Sequence, residues 1–190
     1  MPVEHERKLL LQTSSSNQLI VSLKAQSDIE WYDITQAYIN NSCRIRHVVP
    51  HKEGIKKEQF VFTFKTKVRG STVEIETAIN THDYQKLFLI SKPVIVKTRA
   101  KIACGNITWD VDFLRKPKSG DIYIAMAEAE MPEFERDLPP VHNLLEPYAL
   151  RWIDAGDKRF NNRNLANPKK TAQAVSEVLS EIKKDAHQQS

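Results

Sequence analysis

The chain has 190 residues, of which 41% are hydrophobic and 27% charged, with a formal net charge of +4. That length suits one domain with a substantial core, and the mild basic excess lacks the continuous run of a nucleic-acid arm. Two isolated cysteines, Cys43 and Cys104, exclude a disulfide framework and a cysteine-based zinc site, and no stretch approaches the roughly 20 apolar residues that span a bilayer.

The opening stretch MPVEHERKLL has no apolar signal core, so a reduced, cytoplasmic chain without a membrane partner is expected. In it Glu4, Glu6 and Lys8 alternate with the period of a strand. SSSN at 14–17 reads as a loop after that strand, and Ser27-Asp28-Ile29-Glu30 fits a capping box that predicts a helix from near Asp28. SCRIRHVV then sets Ile45 against Arg44 and Arg46. FVFTFKTKV alternates three phenylalanines with Val61, Thr63, Lys65 and Lys67, and STVEIETAI alternates Val73, Ile75 and Thr77 with Glu74 and Glu76. Asn80 or Thr81 caps a short predicted helix through about Leu89. VIVKTRAKI sets Val94, Val96 and Thr98 against Lys97, Arg99 and Lys101. NITWDVDFL sets Trp109, Val111 and Phe113 against Asp110 and Asp112, and YIAMAEAEM sets Ala127 and Ala129 against Glu128 and Glu130. Turns at 68–71 and 104–106 join neighbouring strands as hairpins. Asn167-Pro168 starts a final amphipathic helix over about 168–185, with Ala174, Val175, Val178, Leu179 and Ile182 at helical spacing.

Residues two apart share one face of a strand, so each like-charge pair is a two-charge patch. One such strand describes a solvated sheet face as readily as a site. Seven in series, nearly all repeating one sign, describe something else, because like charges two apart repel unless something binds them. A closed antiparallel barrel of about eight strands would turn every second residue into a lumen, with helices outside. The expected class is therefore α+β: a closed eight-stranded antiparallel barrel, one domain over 1–190, with the last helix against its exterior or across one end. Carboxylate pairs suit a hard divalent cation, Mg²⁺ or Mn²⁺, and rows of Arg and Lys suit phosphate oxygens.

At these residues the chain resembles the CYTH proteins, the triphosphate tunnel metalloenzymes. Glu4, Glu6 and Lys8 match the family's ExExK strand, and CRIRHV and FTFK resemble its RxR and lysine strands. KPVIVKTRAKIACGNITWDVDFL resembles the KxR strand, hairpin and W-[ED]-x-D strand, and IAMAEAEMP the late ExE strand. DKRFNNRNLA resembles the closing segment, with Phe160 where the family has tyrosine. The resemblance implies an eight-stranded tunnel that binds a triphosphate end-on. It places phosphate-binding roles on Lys8, Arg44, Arg46, Lys65, Lys97 and Arg99. It places divalent metal on Glu4, Glu6, Glu128 and Glu130, with Asp110 and Asp112 near the metal that activates water and Asp112 among its ligands. Glu76 matches an acidic tunnel residue. Glu4, Glu6, Lys8, Asp110, Asp112, Glu128 and Glu130 form the implied catalytic set.

The implied activity is metal-dependent hydrolysis of a terminal phosphate from inorganic tripolyphosphate or a related triphosphate, with Mg²⁺ or Mn²⁺. An adenylyl cyclase would use the same rows, and a non-catalytic triphosphate or polyphosphate-binding module would need only the bases. The expected partner is a small-molecule triphosphate, with no nucleic acid beyond an RNA 5′-triphosphate end, acting on a monomer or homodimer.

Overall fold

Nine strands form a single antiparallel sheet in the computed structural model, which describes residues 5–52, 57–68, 71–132, 135 and 137–188. In chain order the elements are β1 (His5–Leu11), α1 (Ser16–Lys24), β2 (Glu30–Tyr38), β3 (Cys43–Pro50), β4 (Gln59–Val68), β5 (Ser71–Ala78), α2 (Thr81–Ile90), β6 (Val94–Cys104), β7 (Ile107–Arg115), β8 (Ile122–Met131), β9 (Ala149–Ile153), α3 (Asn162–Leu165) and α4 (Pro168–Gln188). The strands lie in the order β5-β4-β3-β2-β6-β7-β8-β1-β9, with β5 and β9 at the edges. The fold is thus α+β, and among the described residues no helix is long and apolar enough to cross a membrane.

Three expectations are corrected. The sheet has nine strands rather than eight, because ALRWI at 149–153 adds to the free side of β1. The helix expected from Asp28 is instead a turn running into β2. Ile34, Gln36 and Tyr38 alternate with Trp31, Thr35 and Ala37, and this period of two overrides the capping signal. The helix in this region comes earlier. α1 begins at Ser16, inside the segment 14–17 taken for a loop, and buries Leu19 and Leu23, one turn apart. The other predicted strands and helices fall where their periods place them. Asn80 caps α2 by accepting from the Asp83 amide at 2.9 Å, and Gly105, at φ +61°, turns β6 into β7. Val68 pairs with Ser71 across the β4–β5 hairpin, whose turn at 69–70 lies outside the described residues.

The two faces of the sheet do different work. On the outer face Leu9, Leu11, Trp109, Val111, Phe113, Ala127 and Ala129 pack with Leu19 and Leu23 of α1. α2 covers a smaller outer cluster of Ala37, Ile45, Phe60 and Phe62 through Tyr84. The inner face is apolar at one end only, where Leu10, Ile95, Leu114, Ile124 and Met126 meet Phe160, Leu165, Ala174 and Val178. α4 therefore closes one end of the inner face. The Arg159 guanidinium fixes this plug, donating to Asp157 at 2.7 Å and to Glu177 of α4 at 2.9 Å.

Two predictions follow from the plug. Phe160 is fully buried, so Phe160→Ala is expected to lower unfolding free energy by about 3–5 kcal/mol in urea titration. The hydrogen bonds from Arg159 hold the Asp157 carboxyl below the usual aspartate range. A lowered folded pKa adds stability above the unfolded value, and that part is lost as pH falls through the folded one. Asp157→Asn should therefore lose stability less steeply than the wild type when unfolding is followed below about pH 4.

Candidate functional site

Register alone assembles the charged rows. Arg99 lies opposite Asp112 and Lys101 opposite Asp110 across β6 and β7. Asp110 faces Glu128 across β7 and β8, and Glu128 and Glu130 face Lys8 and Glu6 of β1. On the other arm Arg44 faces Thr63, Thr63 faces Glu76, and Lys65 faces Glu74. The sheet curls so far that side chains from β1 through β8 line one cavity of about 500 Å³. Its six basic residues are Arg44, Arg46, Lys65, Lys97, Arg99 and Lys101, and its six acidic ones are Glu6, Glu74, Glu76, Asp110, Glu128 and Glu130.

The β6–β7–β8 arm is buried and tightly bonded. Asp112 accepts from Lys97 Nζ at 2.5 Å and, in a fork, from Arg99 Nε and Nη2, each at 2.6 Å. Arg99 also donates to Asp110 Oδ2. Glu128 accepts from Lys8 Nζ at 2.5 Å, and Lys8 lies 3.2 Å from Glu6. Burial opposes charge throughout this arm. It is overcome at Lys8, where Glu128 and Glu6 raise the pKa, and at Arg99, where Asp112 and Asp110 do so. Burial likewise opposes ionisation of Asp112 and Glu128, but Arg99 and Lys97 hold the first below its usual range, and Lys8, Lys97 and Arg99 the second. Lys97 is the exception. Burial and the adjacent Arg99 lower its pKa despite Asp112.

The β3–β4–β5 arm is looser. Arg44 donates to Glu74 at 2.6 Å, Lys65 lies 3.1 Å from the same carboxylate, and Arg46 pairs with Glu76. Burial works against the Glu74 carboxylate, yet Arg44 and Lys65 bring its pKa down to about 2. Burial and the neighbouring Arg44 lower the pKa of Arg46, whose buried Nε has no hydrogen-bond partner among the described residues. An anion beside Arg46 would relieve both.

Toward the opposite rim the balance reverses. Asp110 Oδ1 is buried and accepts no hydrogen bond among the described residues. Burial and the charges of Asp110 and Glu128 raise the pKa of Glu130, which is half exposed. Lys101 Nζ stands 3.7 Å from Asp110 Oδ1 and 3.9 Å from Glu130 Oε2, so this rim is poor in close cations rather than without one. A second cavity of about 600 Å³ adjoins the first and shares Glu6, Arg44, Lys65 and Asn162 with it.

Of the residues singled out in the sequence, Glu6, Lys8, Arg44, Arg46, Lys65, Glu76, Lys97, Arg99, Asp110, Asp112, Glu128 and Glu130 all fall on this inner face. Glu4 lies outside the described residues. Lys101, which the sequence pattern sets on the charged face with Lys97 and Arg99, also lines the cavity, although the resemblance gave it no role. The sequence pattern missed two further lining or supporting groups. Gln36 and Tyr38, joined by a 2.5 Å hydrogen bond, were hidden by reading their strand's start as a helix.

The donor set suits a divalent cation. Glu6, Asp110, Glu128 and Glu130 offer only oxygens, as Mg²⁺ and Mn²⁺ prefer, and Asp110 Oδ1 is an orphaned buried acceptor. Their chemistry fits. Among the described residues no three acidic, histidine or cysteine side chains already converge on one point, because Lys8 and Arg99 occupy Glu128, and Lys8 approaches Glu6.

No protein-family model matches the chain, and no curated protein matches it in sequence. Among solved structures, the PH1012 protein of Pyrococcus horikoshii aligns with a TM-score of 0.43 and 19% identity, over 70% of this chain and 80% of that one. A proposed adenylate cyclase of Bacillus halodurans aligns with a TM-score of 0.41 and 16% identity, over 67% and 80%. A chain of the Schizosaccharomyces pombe Mediator head module aligns at 0.45 and 9% identity, over 95% and 96%. Proteins this unlike, matched at such scores, assign no activity.

The buried centre and the open rim of the β6–β7–β8 arm make contrasting predictions for conservative substitutions. Asp112→Asn strips the anion from two buried cations and should reduce stability by about 3–5 kcal/mol. Glu130 is half exposed, so Glu130→Gln should leave urea stability within about 0.5 kcal/mol of the wild type.

Proposed function

We propose that this chain is a divalent-metal-dependent triphosphatase that releases the terminal phosphate from inorganic tripolyphosphate or a related triphosphate. The observation that supports this reading best is the row of Lys8, Arg44, Arg46, Lys65, Lys97 and Arg99 on one curled face, interleaved with carboxylates. The proposal includes closure of that face around the phosphate chain as a tunnel, with α4 stopping one end.

Each group has a role set by its surroundings. Arg44, Arg46 and Lys65 hold phosphate oxygens, exchanging their present carboxylate partners for the anion. Lys97 and Arg99 meet the developing charge of the transferring phosphoryl group, where positioned cations do most of the work. Asp112 holds both in place, and its two oxygens are already engaged. Lys8 bridges the phosphate and metal sides through Glu6 and Glu128. Glu6, Asp110, Glu128 and Glu130, with Glu4, would hold Mg²⁺ or Mn²⁺, which supplies charge neutralisation and a more acidic bound water. No nucleophilic side chain is required, because water attacks the phosphorus directly.

The test is incubation of the protein with Mn²⁺ or Mg²⁺ and, in parallel, tripolyphosphate, ATP and thiamine triphosphate, followed by product separation. Pyrophosphate and orthophosphate from tripolyphosphate are expected. Cyclic AMP with pyrophosphate from ATP would overturn the hydrolase in favour of a cyclase, and tight binding without turnover would favour a binding module. Glu130→Gln should lower kcat at least about 100-fold, the scale of one lost transition-state charge contact, while the fold persists.

A further inference from the structure

We infer that Lys101 is a tethered stand-in for the divalent cation and sets the affinity of the site for metal. The inference rests on the metal-dependent reading above. β6 carries three bases on one face, and their side chains are 4%, 14% and 40% exposed at Lys97, Arg99 and Lys101. The first two make hydrogen bonds of 2.5–2.6 Å to Asp112. Lys101 does not match them. Its Nζ stands 3.7 Å from Asp110 Oδ1 and 3.9 Å from Glu130 Oε2, at ion-pair but not hydrogen-bond distance.

Those two oxygens belong to the cation-poor rim. Asp110 is 2% exposed, and its Oδ1 accepts no hydrogen bond among the described residues. The ammonium therefore neutralises two carboxylates without satisfying either. A lysine suits such a post. Its charge is compact and strongly hydrated, and its four-carbon stem lets it withdraw toward solvent. A divalent ion approaching Asp110 and Glu130 meets this charge and must displace it. Once displaced, Lys101 still lines the same cavity and adds its charge to whatever anion lies there. Metal entry and anion binding are thereby coupled through one side chain, in the reciprocal sense that linkage requires.

Mn²⁺ alone, without phosphate, is the probe, titrated into the full chain by isothermal calorimetry and by the electron spin resonance of free Mn²⁺. Lys101→Met keeps the length of the side chain and removes its charge. It should bind Mn²⁺ about 5–20-fold more tightly than the wild type, within the usual range of coupling between sites. Lys101→Arg keeps the charge and should stay within about twofold. A gain in affinity is not what a damaged fold produces, so it separates this role from a structural one. Unchanged or weaker Mn²⁺ binding by Lys101→Met, with the wild type binding normally, would overturn the inference and leave the metal site standing. Absence of Mn²⁺ binding in wild type and variant alike would overturn the metal site and this inference together.

Discussion

Charges that face inward on a curled sheet must be neutralised by one another, and this requirement organises the molecule. Asp112 is its centre. Between two buried bases it accepts three hydrogen bonds, and it holds Lys97 and Arg99 in place at the deep end of the cavity. Either base alone in that setting would carry a desolvation penalty of several kcal/mol. Arg99 passes the compensation on to Asp110 and Glu128, and Glu128 passes it to Lys8. The register of β6, β7, β8 and β1 is therefore specified twice, by the outer apolar face and by the inner ion pairs.

The apolar plug makes that demand severe. Leu9 and Leu11 point to the outer core, while Leu10 points inward with Ile95, Leu114 and Met126 against α4. One end of the inner face is thus closed and apolar, and exposure along β6 grows away from it. Solvent screens Lys101 and Glu130 far more than Lys97 and Asp112. The same row of alternating charges is consequently structural at its closed end and exchangeable at its open end.

Much of this was legible in the sequence, and the exceptions have physical causes. Seven strands announced themselves by a period of two, and α2 and α4 by caps and spacing. β9 did not, because ALRWI is five residues long, and among the described residues its strand partner is the free side of β1. α1 was obscured by three serines, although Leu19 and Leu23 already carried its spacing. At the site the pattern of signs supplied membership of the face but not the pairing. Asp112 and Glu130 look alike in sequence, each the second acid of a pair. Only register and burial separate a carboxylate held by a forked guanidinium from one left half exposed and electrostatically disfavoured.

That separation also tells the two arginine rows apart. Arg99 is gripped by buried Asp112 on β7, an interior strand bonded on both sides. Arg44 and Arg46 reach instead to Glu74 and Glu76 on β5, an edge strand, and Glu76 is 44% exposed. Of these edge-strand carboxylates, Glu76 can turn to water when an anion replaces it, at little loss, since exposed ion pairs contribute little, while Glu74, 17% exposed, is held more firmly by Arg44 and Lys65. Those of β7 have no such escape. Under the proposed function, an incoming phosphate chain would displace acids on the β5 side while the β7 side kept its guanidinium aimed, one arm yielding so that the other stays preorganised.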